Sequence, residues 1–174
     1  SYYNTLLEDT NTPLVNRPLK QKKAPGSTLK MVTALAGLET GAIDARTIID
    51  TQGIFRDAGT PYARCWIYSN TGGNHGMVNV TEALEVSCNY FFYTVGYLLG
   101  NQEEGTTEQA ITTLNEYMAA FGLNQTTGME LDEYSPTMAS PSNKERLLKS
   151  SNPHATTSQT RWTDGDTIRA AIGQ

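Results

Sequence analysis

The chain has 174 residues, of which 38% are hydrophobic and 18% are charged, so it is predicted to fold as a single domain, residues 1–174, around a buried core. The formal net charge of -5 and the scattered basic residues exclude nucleic acid as a partner. No apolar run reaches the ~18 residues that a membrane span requires, and the abrupt start at Ser1 indicates a piece of a longer protein.

The two cysteines predict buried free thiols rather than a disulfide. Cys65 precedes Trp66, and Cys88 lies close to Tyr90 and Phe91, which is the usual setting of an unpaired buried thiol. The sequence has two histidines and no C-x-x-C pair. Its spacing therefore predicts no metal site and no cofactor.

Helical patterns dominate the chain, and alternating strand patterns are nearly absent, so the fold is predicted to be mainly α. The pattern from Ser27 to about Glu39 is apolar on nearly every side and stops at Gly41, which predicts a helix buried in the middle of the domain. The long connection 51–79 is predicted to carry a small hairpin.

Later helix starts are predicted from capping-box spacings, in which Ser, Thr or Asn precedes Glu or Gln by three residues. The three pairs are Asn79 with Glu82, Thr106 with Gln109, and Ser142 with Glu145. The apolar run 90–99 predicts a second buried helix closed by Gly100. In the helix after Thr106, one apolar stripe includes Leu114, Met118 and Phe121.

Five other conspicuous residues are interpreted structurally. Trp66 and Trp162 are predicted to anchor the packing, and His75 is read as a loop residue in a Gly-rich stretch. Asp164 and Asp166 flank Gly165 and are predicted to cap a following helix rather than to hold a cation.

The stretch APGSTLKM places Ser27 three residues before Lys30, after a Pro-Gly break. Residues three apart share a helix face, so the amine can approach the hydroxyl, and burial in the apolar helix favours a neutral lysine that can take a proton. This spacing by itself is also typical of an ordinary helix start. A second polar cluster, Ser87-Cys88-Asn89, interrupts the helical pattern and can point into a cleft.

With both clusters, the sequence resembles the transpeptidase domain of class B high-molecular-weight penicillin-binding proteins, for which S-x-x-K, S-x-N and K-T-G are characteristic. The resemblance covers most of the chain through these segments in their usual order: PLVNRPL, PGSTLKMVTALAGLETG, RCW, HGMVNVTEALEVSCNYFFYTVG, FGLNQTTG and W-x-x-GDT…IGQ.

The resemblance implies roles for four residues and a partial fold. Ser27 would be the acylated nucleophile and Lys30 its base, while Ser87 would relay a proton to the leaving amine and Asn89 would bind the substrate amide. No K-T-G or K-S-G occurs in the chain. The chain is therefore expected to be the helical subdomain of the α/β penicillin-binding protein and serine β-lactamase-like fold, without most of its β-sheet.

The same resemblance implies partners and a location. Expected partners are peptidoglycan stem peptides ending in D-Ala-D-Ala, β-lactam antibiotics and the cell-wall glycosyltransferase machinery, at the outer face of the bacterial cytoplasmic membrane. The isolated piece is expected to be inactive and prone to self-association. The alternatives are a β-lactamase or β-lactam sensor, which would carry a different second motif or a deacylating Glu, and a non-catalytic helical interaction module.

Overall fold

A computed structural model describes residues 1–100 and 106–174, and within them the chain is mainly helical, as the sequence predicts. The helices are α1 (Tyr2–Glu8), α2 (Arg17–Lys20), α3 (Lys30–Glu39), α4 (Trp66–Thr71), α5 (Val80–Glu85), α6 (Asn89–Leu98), α7 (Thr107–Ala120), α8 (Pro141–Ser151), α9 (Thr157–Thr160) and α10 (Asp164–Ala170). The strands are β1 (Ile49–Thr51), β2 (Ile54–Phe55), β3 (Ala63–Arg64) and β4 (Gly76–Val78).

Two apolar helices, α3 and α6, form the centre of the molecule, and α7 and α10 pack around them. Phe91, Phe92 and Val95 of α6 are buried. The helices approach closely at Gly37, where a Cβ atom would lie 2.7 Å from Cγ1 of Val95. The helix predicted from Ser27 to about Glu39 corresponds to α3, and its predicted central position is confirmed because α3 contacts α5, α6 and α7.

The start of the central helix differs from the prediction. A 3₁₀ turn, Gly26–Leu29, comes first, and the α-helix begins only at Lys30. Gly26 enters the turn with φ +63°, a left-handed conformation that prevents a continuous α-helix from forming upstream of Ser27. The predicted end is confirmed, since Gly41 follows the helix with φ +75°.

Two of the three predicted helix starts are confirmed. Asn79 and Glu82 form a reciprocal capping box at α5. At α7 the Thr106 hydroxyl accepts the Gln109 N–H at 3.1 Å. Phe121, in contrast, follows the end of α7 and is 57% exposed, so its predicted place on the buried stripe is wrong.

The predicted start at Ser142 is wrong by two residues. Helix α8 is capped by Ser140, whose hydroxyl accepts the Asn143 N–H at 3.2 Å. Pro141 occupies the first helical position, where its missing N–H costs nothing and its fixed φ suits the helix. This proline therefore shifts the cap upstream of Ser142.

The small hairpin predicted for the connection 51–79 is confirmed as β2 with β3, and a second antiparallel pair, β1 with β4, encloses it. β1 pairs with β4, with Ile49 opposite Val78, and β2 pairs with β3, with Ile54 opposite Arg64. Each strand has only two or three residues, too few to show an alternating pattern in the sequence. Helix α4 lies between β3 and β4 in the chain, and no pattern in the sequence predicts it.

Near its C-terminus the chain closes against the turn that carries Ser27. The N–H of Gly26 donates to the carbonyl of Gly173 at 2.9 Å, and a Cβ atom on Gly173 would overlap the backbone of Gly26. Thr33 Oγ1 also donates to the carbonyl of Ala171 at 2.6 Å. The turn is therefore fixed by backbone contacts that only glycine permits.

Replacement of Gly173 by alanine is expected to destabilise the fold by about 2–4 kcal/mol, because it adds a backbone overlap to the cost of the left-handed φ. Gly41→Ala is the matched control, since Gly41 has a similar φ of +75° but open space around the added Cβ. Its cost is expected to be only about 1 kcal/mol. Urea unfolding of both variants measures the difference, and equal losses would contradict the overlap.

Several large apolar side chains remain at the surface. Met31, next to the buried Lys30, is 64% exposed, and Tyr2 and Leu7 of α1 are 79% and 58% exposed. Such exposure favours contacts with other surfaces. The expected self-association is consistent with these side chains and stays a prediction. Among the described helices, each is too short or too polar to cross a bilayer.

Candidate active site

The site is built around a buried lysine. Lys30 begins α3 and is 1% exposed, with its Nζ lying 5.7 Å from the ring centroid of Phe92. Nζ donates to the Ser87 carbonyl at 2.8 Å, to Ser87 Oγ at 2.9 Å and to Asn89 Oδ1 at 2.6 Å. The three N–H bonds of the ammonium group are therefore all used, which compensates for its burial.

Ser27 reaches this lysine through a second hydroxyl. Ser87 Oγ lies 3.1 Å from Ser27 Oγ, across 60 residues of sequence. Among the described residues no direct hydrogen bond joins Ser27 Oγ to Lys30 Nζ, because Ser27 lies on the 3₁₀ turn rather than on α3. The structure thus brings Ser27, Lys30, Ser87 and Asn89 together in one hydrogen-bonded chain with Ser87 in the middle.

Ser87 occupies an unusual backbone conformation at the break between α5 and α6. Its φ is +51°, which is uncommon for a residue other than glycine. The Ser87 N–H donates to the Leu84 carbonyl at 3.1 Å, and the Cys88 N–H donates to the Ala83 carbonyl at 2.8 Å. This turn lets α6 begin at Asn89 and places the polar groups of Ser87 and Asn89 on the same side of Lys30.

Burial sets the electrostatics of the site. The loss of hydration lowers the pKa of Lys30 from 10.5 to about 8, while the nearby Cys65 and Cys88 sulfurs act in the opposite direction. At pH 7 roughly a tenth of the lysine is then neutral. A neutral amine has a lone pair, so Lys30 is able to act as a base near physiological pH.

A cluster of two thiols and one imidazole includes Cys88, the middle residue of the S-x-N segment. The donor atoms of Cys65, His75 and Cys88 all lie within 4.8 Å of one another, and both thiols are free and buried. The closeness of the two sulfurs lowers the pKa of Cys65 and raises that of Cys88. His75 Nε2 is buried without a hydrogen-bond partner among the described residues.

Among the described residues, this cluster is the place where the predicted absence of a metal site can be tested. Thiolate sulfur and imidazole nitrogen are the ligands that zinc prefers, and the imidazole nitrogen that faces the thiols is His75 Nδ1, which lies 3.7 Å from Cys65 Sγ. The three residues are separated by 10 and 13 positions in the sequence (65 to 75, and 75 to 88), unlike the short pairs of common zinc motifs. Tertiary structure, rather than spacing, assembles the set.

Zn²⁺ is expected to raise the melting temperature of the metal-free chain. An ion that binds only the folded state adds about 2.7 kcal/mol to the free energy of unfolding when its free concentration is 100 times its dissociation constant. Co²⁺ is expected to give the near-ultraviolet charge-transfer absorption of a thiolate complex. His75→Ala is expected to weaken both effects, with His154→Ala as the matched control because His154 is exposed. Identical titrations of all three proteins would contradict the site.

A family model described as "Penicillin binding protein transpeptidase domain" matches residues 2–173. The chain belongs to this transpeptidase family. The resemblance of its S-x-x-K and S-x-N segments to class B penicillin-binding proteins is thereby confirmed at the level of the family.

Named relatives of this transpeptidase-family chain include two proteins called peptidoglycan D,D-transpeptidase MrdA. The protein from Acinetobacter baumannii is 34% identical over 173 residues, covering 99% of this chain and 22% of the relative. The Escherichia coli K12 protein is 34% identical over 174 residues, covering 99% of this chain and 24% of the relative. The chain thus spans about a quarter of their length.

Solved structures show the same fold. Penicillin-binding protein 2 (PBP2) of Pseudomonas aeruginosa, in complex with WCK 5153, superposes with a TM-score of 0.76 at 26% identity, covering 99% of this chain and 34% of the other. PBP2 of Helicobacter pylori, in complex with MreC, gives a TM-score of 0.76 at 26% identity, covering 99% and 28%.

One contact to the transpeptidase motifs was missed by sequence reasoning. Trp66 was predicted to anchor the packing, yet it is 41% exposed, whereas Trp162 is 9% exposed and fulfils that prediction. The indole N–H of Trp66 donates to the Ser87 carbonyl at 3.1 Å. No signal in the sequence indicates this contact, because Trp66 begins α4 and Ser87 lies 21 residues later, in the turn between α5 and α6.

Proposed function

We propose that this chain carries the nucleophile of a peptidoglycan D,D-transpeptidase, which cross-links stem peptides through an acyl-enzyme on Ser27 and is itself acylated by β-lactams. The observation that carries the proposal is the hydrogen-bonded chain from Ser27 through Ser87 to Lys30 and Asn89. A scaffold module has no need of a buried lysine with a lowered pKa beside two hydroxyls.

The geometry suggests a path for the proton. Neutral Lys30 has two N–H bonds, which it donates to the Ser87 carbonyl and to Asn89 Oδ1, so its lone pair accepts the Ser87 hydroxyl proton. As Ser27 Oγ attacks the carbonyl carbon of the penultimate D-Ala, Ser87 takes the Ser27 proton and passes its own to Lys30. Lys30 serves as the base, as the resemblance implies, with Ser87 as the link.

The second half of the reaction uses the same residues in reverse. The C–N bond of the terminal D-Ala breaks, and the proton returns from Lys30 through Ser87 to the leaving amine. An acceptor amine of another stem peptide then attacks the acyl carbon and gives a proton to Lys30 through Ser87, and this proton passes back to Ser27 Oγ as the ester bond breaks and Ser27 is released. We assign the Asn89 amide nitrogen as the donor that binds the substrate carbonyl.

We place the whole protein at the outer face of the cytoplasmic membrane, in contact with peptidoglycan and the cell-wall glycosyltransferase machinery. The resemblance to class B proteins supports this placement. Support for a partner in cell-wall assembly comes from the structure of Helicobacter pylori PBP2, which is a complex with MreC.

Incubation with a fluorescent penicillin tests the proposed function. The protein extended to the length of its relatives is expected to gain one penicilloyl group at Ser27, as measured by intact mass and peptide mapping. Ser27→Ala is expected to abolish labelling, whereas Ser158→Ala, a change at another exposed serine, is expected to leave it intact. Labelling that persists in Ser27→Ala would contradict the nucleophile, and rapid loss of the acyl group would favour a β-lactamase.

A further inference from the structure

The turn at Ser87 is joined to α5 through the N–H groups of Ser87 and Cys88, which donate to the Leu84 and Ala83 carbonyls, whereas the Ser87 carbonyl is held by groups outside these two helix ends. Its φ of +51° lies in the left-handed region, where a non-glycine residue costs about 1–3 kcal/mol unless its surroundings fix it. The conformation matters because it places Ser87 Oγ between Ser27 and Lys30. A rotation of this one peptide unit would break the chain of hydroxyls.

Two donors hold the Ser87 carbonyl. Lys30 Nζ lies 2.8 Å from it, and Trp66 Nε1 lies 3.1 Å from it. The same indole nitrogen lies 3.3 Å from the Val86 carbonyl. The N–H therefore contacts the carbonyl groups of the two peptide units on either side of the Ser87 Cα atom. The two lone pairs of the Ser87 carbonyl oxygen are thereby both occupied.

These two donors behave differently during the proposed reaction. Lys30 gains and loses a proton, so the number of N–H bonds that it offers to the Ser87 carbonyl and to Asn89 changes between three and two. The indole N–H of Trp66 does not titrate and is constant throughout. It is therefore the donor that holds the Ser87 carbonyl while the contacts of Lys30 rearrange.

The surroundings of Trp66 indicate that its indole group is fixed by more than core packing. The residue begins α4, and its ring lies 5.4 Å from the ring of His75, centroid to centroid, at an interplanar angle of 59°. Its 41% exposure shows that burial alone does not hold it. The tilted ring contact with His75 and the two carbonyl contacts together orient the N–H towards the turn at Ser87.

We propose that Trp66 is a positioning residue of the acylation step, whose indole N–H fixes the Ser87 peptide and thereby the hydroxyl that links Ser27 to Lys30. This inference rests on the proposed function, because it concerns the rate at which Ser27 is acylated. It predicts a change in the chemical step rather than in the binding of the β-lactam.

The test removes only the N–H. In the protein extended to the length of its relatives, Trp66 is replaced by benzothienylalanine, an isostere in which sulfur stands for the N–H, and by 7-azatryptophan, which keeps the N–H. Stopped-flow acylation by a chromogenic cephalosporin separates the limiting rate constant from the dissociation constant of the non-covalent complex. Trp162→benzothienylalanine is the matched control, since the Trp162 N–H donates to Thr167, outside the site.

With benzothienylalanine at position 66, the limiting rate constant is expected to fall about tenfold, the equivalent of one hydrogen bond, while the dissociation constant changes less than about twofold. 7-Azatryptophan is expected to restore the rate, and the change at Trp162 is expected to leave it alone. An unchanged limiting rate constant would overturn the proposal. A weaker non-covalent complex with an unchanged limiting rate constant would also overturn it, because the indole ring would then bind the ligand.

A second measurement needs no enzymatic activity and uses the 174-residue chain. Ser-Cys occurs once in the sequence, so carbonyl-labelled serine with ¹⁵N-labelled cysteine gives a single amide-detected signal from the Ser87–Cys88 peptide. Loss of the indole N–H is expected to shift this carbonyl signal, and no shift would overturn the contact. If the unsubstituted protein is not acylated at Ser27, the proposed function fails, whereas the carbonyl signal still tests the role of Trp66.

Discussion

Replacement of Lys30 by alanine is expected to lower the rate of Ser27 acylation by about 10²–10⁴-fold, the contribution of a well-placed general base. The change removes the amine that contacts the Ser87 carbonyl, Ser87 Oγ and Asn89 Oδ1, so the proton of Ser27 has no final acceptor. Stopped-flow acylation of the protein extended to the length of its relatives measures the effect.

The control is Lys149→Ala, which removes an exposed lysine that pairs with Glu145 on α8. It is expected to leave the acylation rate unchanged, because a surface ion pair contributes little and lies outside the site. A melting curve of each variant separates lost chemistry from lost folding. A Lys30→Ala protein that melts normally and acylates at the rate of the unsubstituted protein would remove Lys30 from the mechanism.

The pH dependence of acylation follows from the same lysine. Because burial lowers its pKa to about 8, the neutral fraction rises through pH 8, and the rate is expected to rise with it and to level off above. A lysine with the ordinary pKa of 10.5 would give a rate that still increases beyond pH 10. A midpoint near the ordinary value would show that burial does not activate this amine.

Stability is linked to the same shift. Between about pH 8 and 10.5 the unfolded chain still holds the Lys30 proton while the folded chain has lost it. The unfolded state therefore binds more protons in this window, and the contribution of Lys30 to the free energy of unfolding increases with pH there. Below pH 8 both states are protonated, and the full cost of burying the ammonium group is present.

Local chemistry explains which elements the sequence predicts correctly. Asn79 caps α5 because its side chain and that of Glu82 reach backbone N–H groups within three residues, so no distant contact is needed. Gly41 ends α3 for an equally local reason, its left-handed backbone. The failure at Ser142 is also local in origin, since Pro141 favours a cap at Ser140 over the spacing to Glu145.

The site itself depends on contacts that no local pattern contains. Lys30 contacts Ser87 directly across 57 residues of sequence. The contact between Ser27 and Lys30 is indirect, through Ser87, rather than the direct one expected from a shared helix face, because Ser27 lies on the 3₁₀ turn. The S-x-x-K and S-x-N spacings identified these residues through the family resemblance. The contact of the Trp66 N–H with Ser87 and the cluster of His75 with Cys65 and Cys88 depend on tertiary packing, because their residues are 10 or more positions apart in the sequence.

The 174-residue chain, tested by itself, is expected to react with penicillin at least about 10²–10³-fold more slowly than a chain that continues through a K-T-G segment. By the family resemblance, one oxyanion donor is the N–H of Ser27 and the other comes from the strand that carries K-T-G. No K-T-G or K-S-G occurs in these residues. Removal of one oxyanion donor costs about that factor in rate, and lost positioning of the substrate adds to it.

The nucleophile and the base of the short chain are nevertheless in place, which makes the comparison specific. Ser27, Ser87 and Lys30 are already joined by hydrogen bonds, so slow labelling would reflect the missing wall of the cleft rather than a disordered nucleophile. Time-resolved intact mass of both chains, each with a Ser27→Ala counterpart, measures the ratio. Rapid stoichiometric acylation of the 174-residue chain at Ser27 would show instead that the hydroxyl chain alone suffices and that the sheet contributes little to the chemical step.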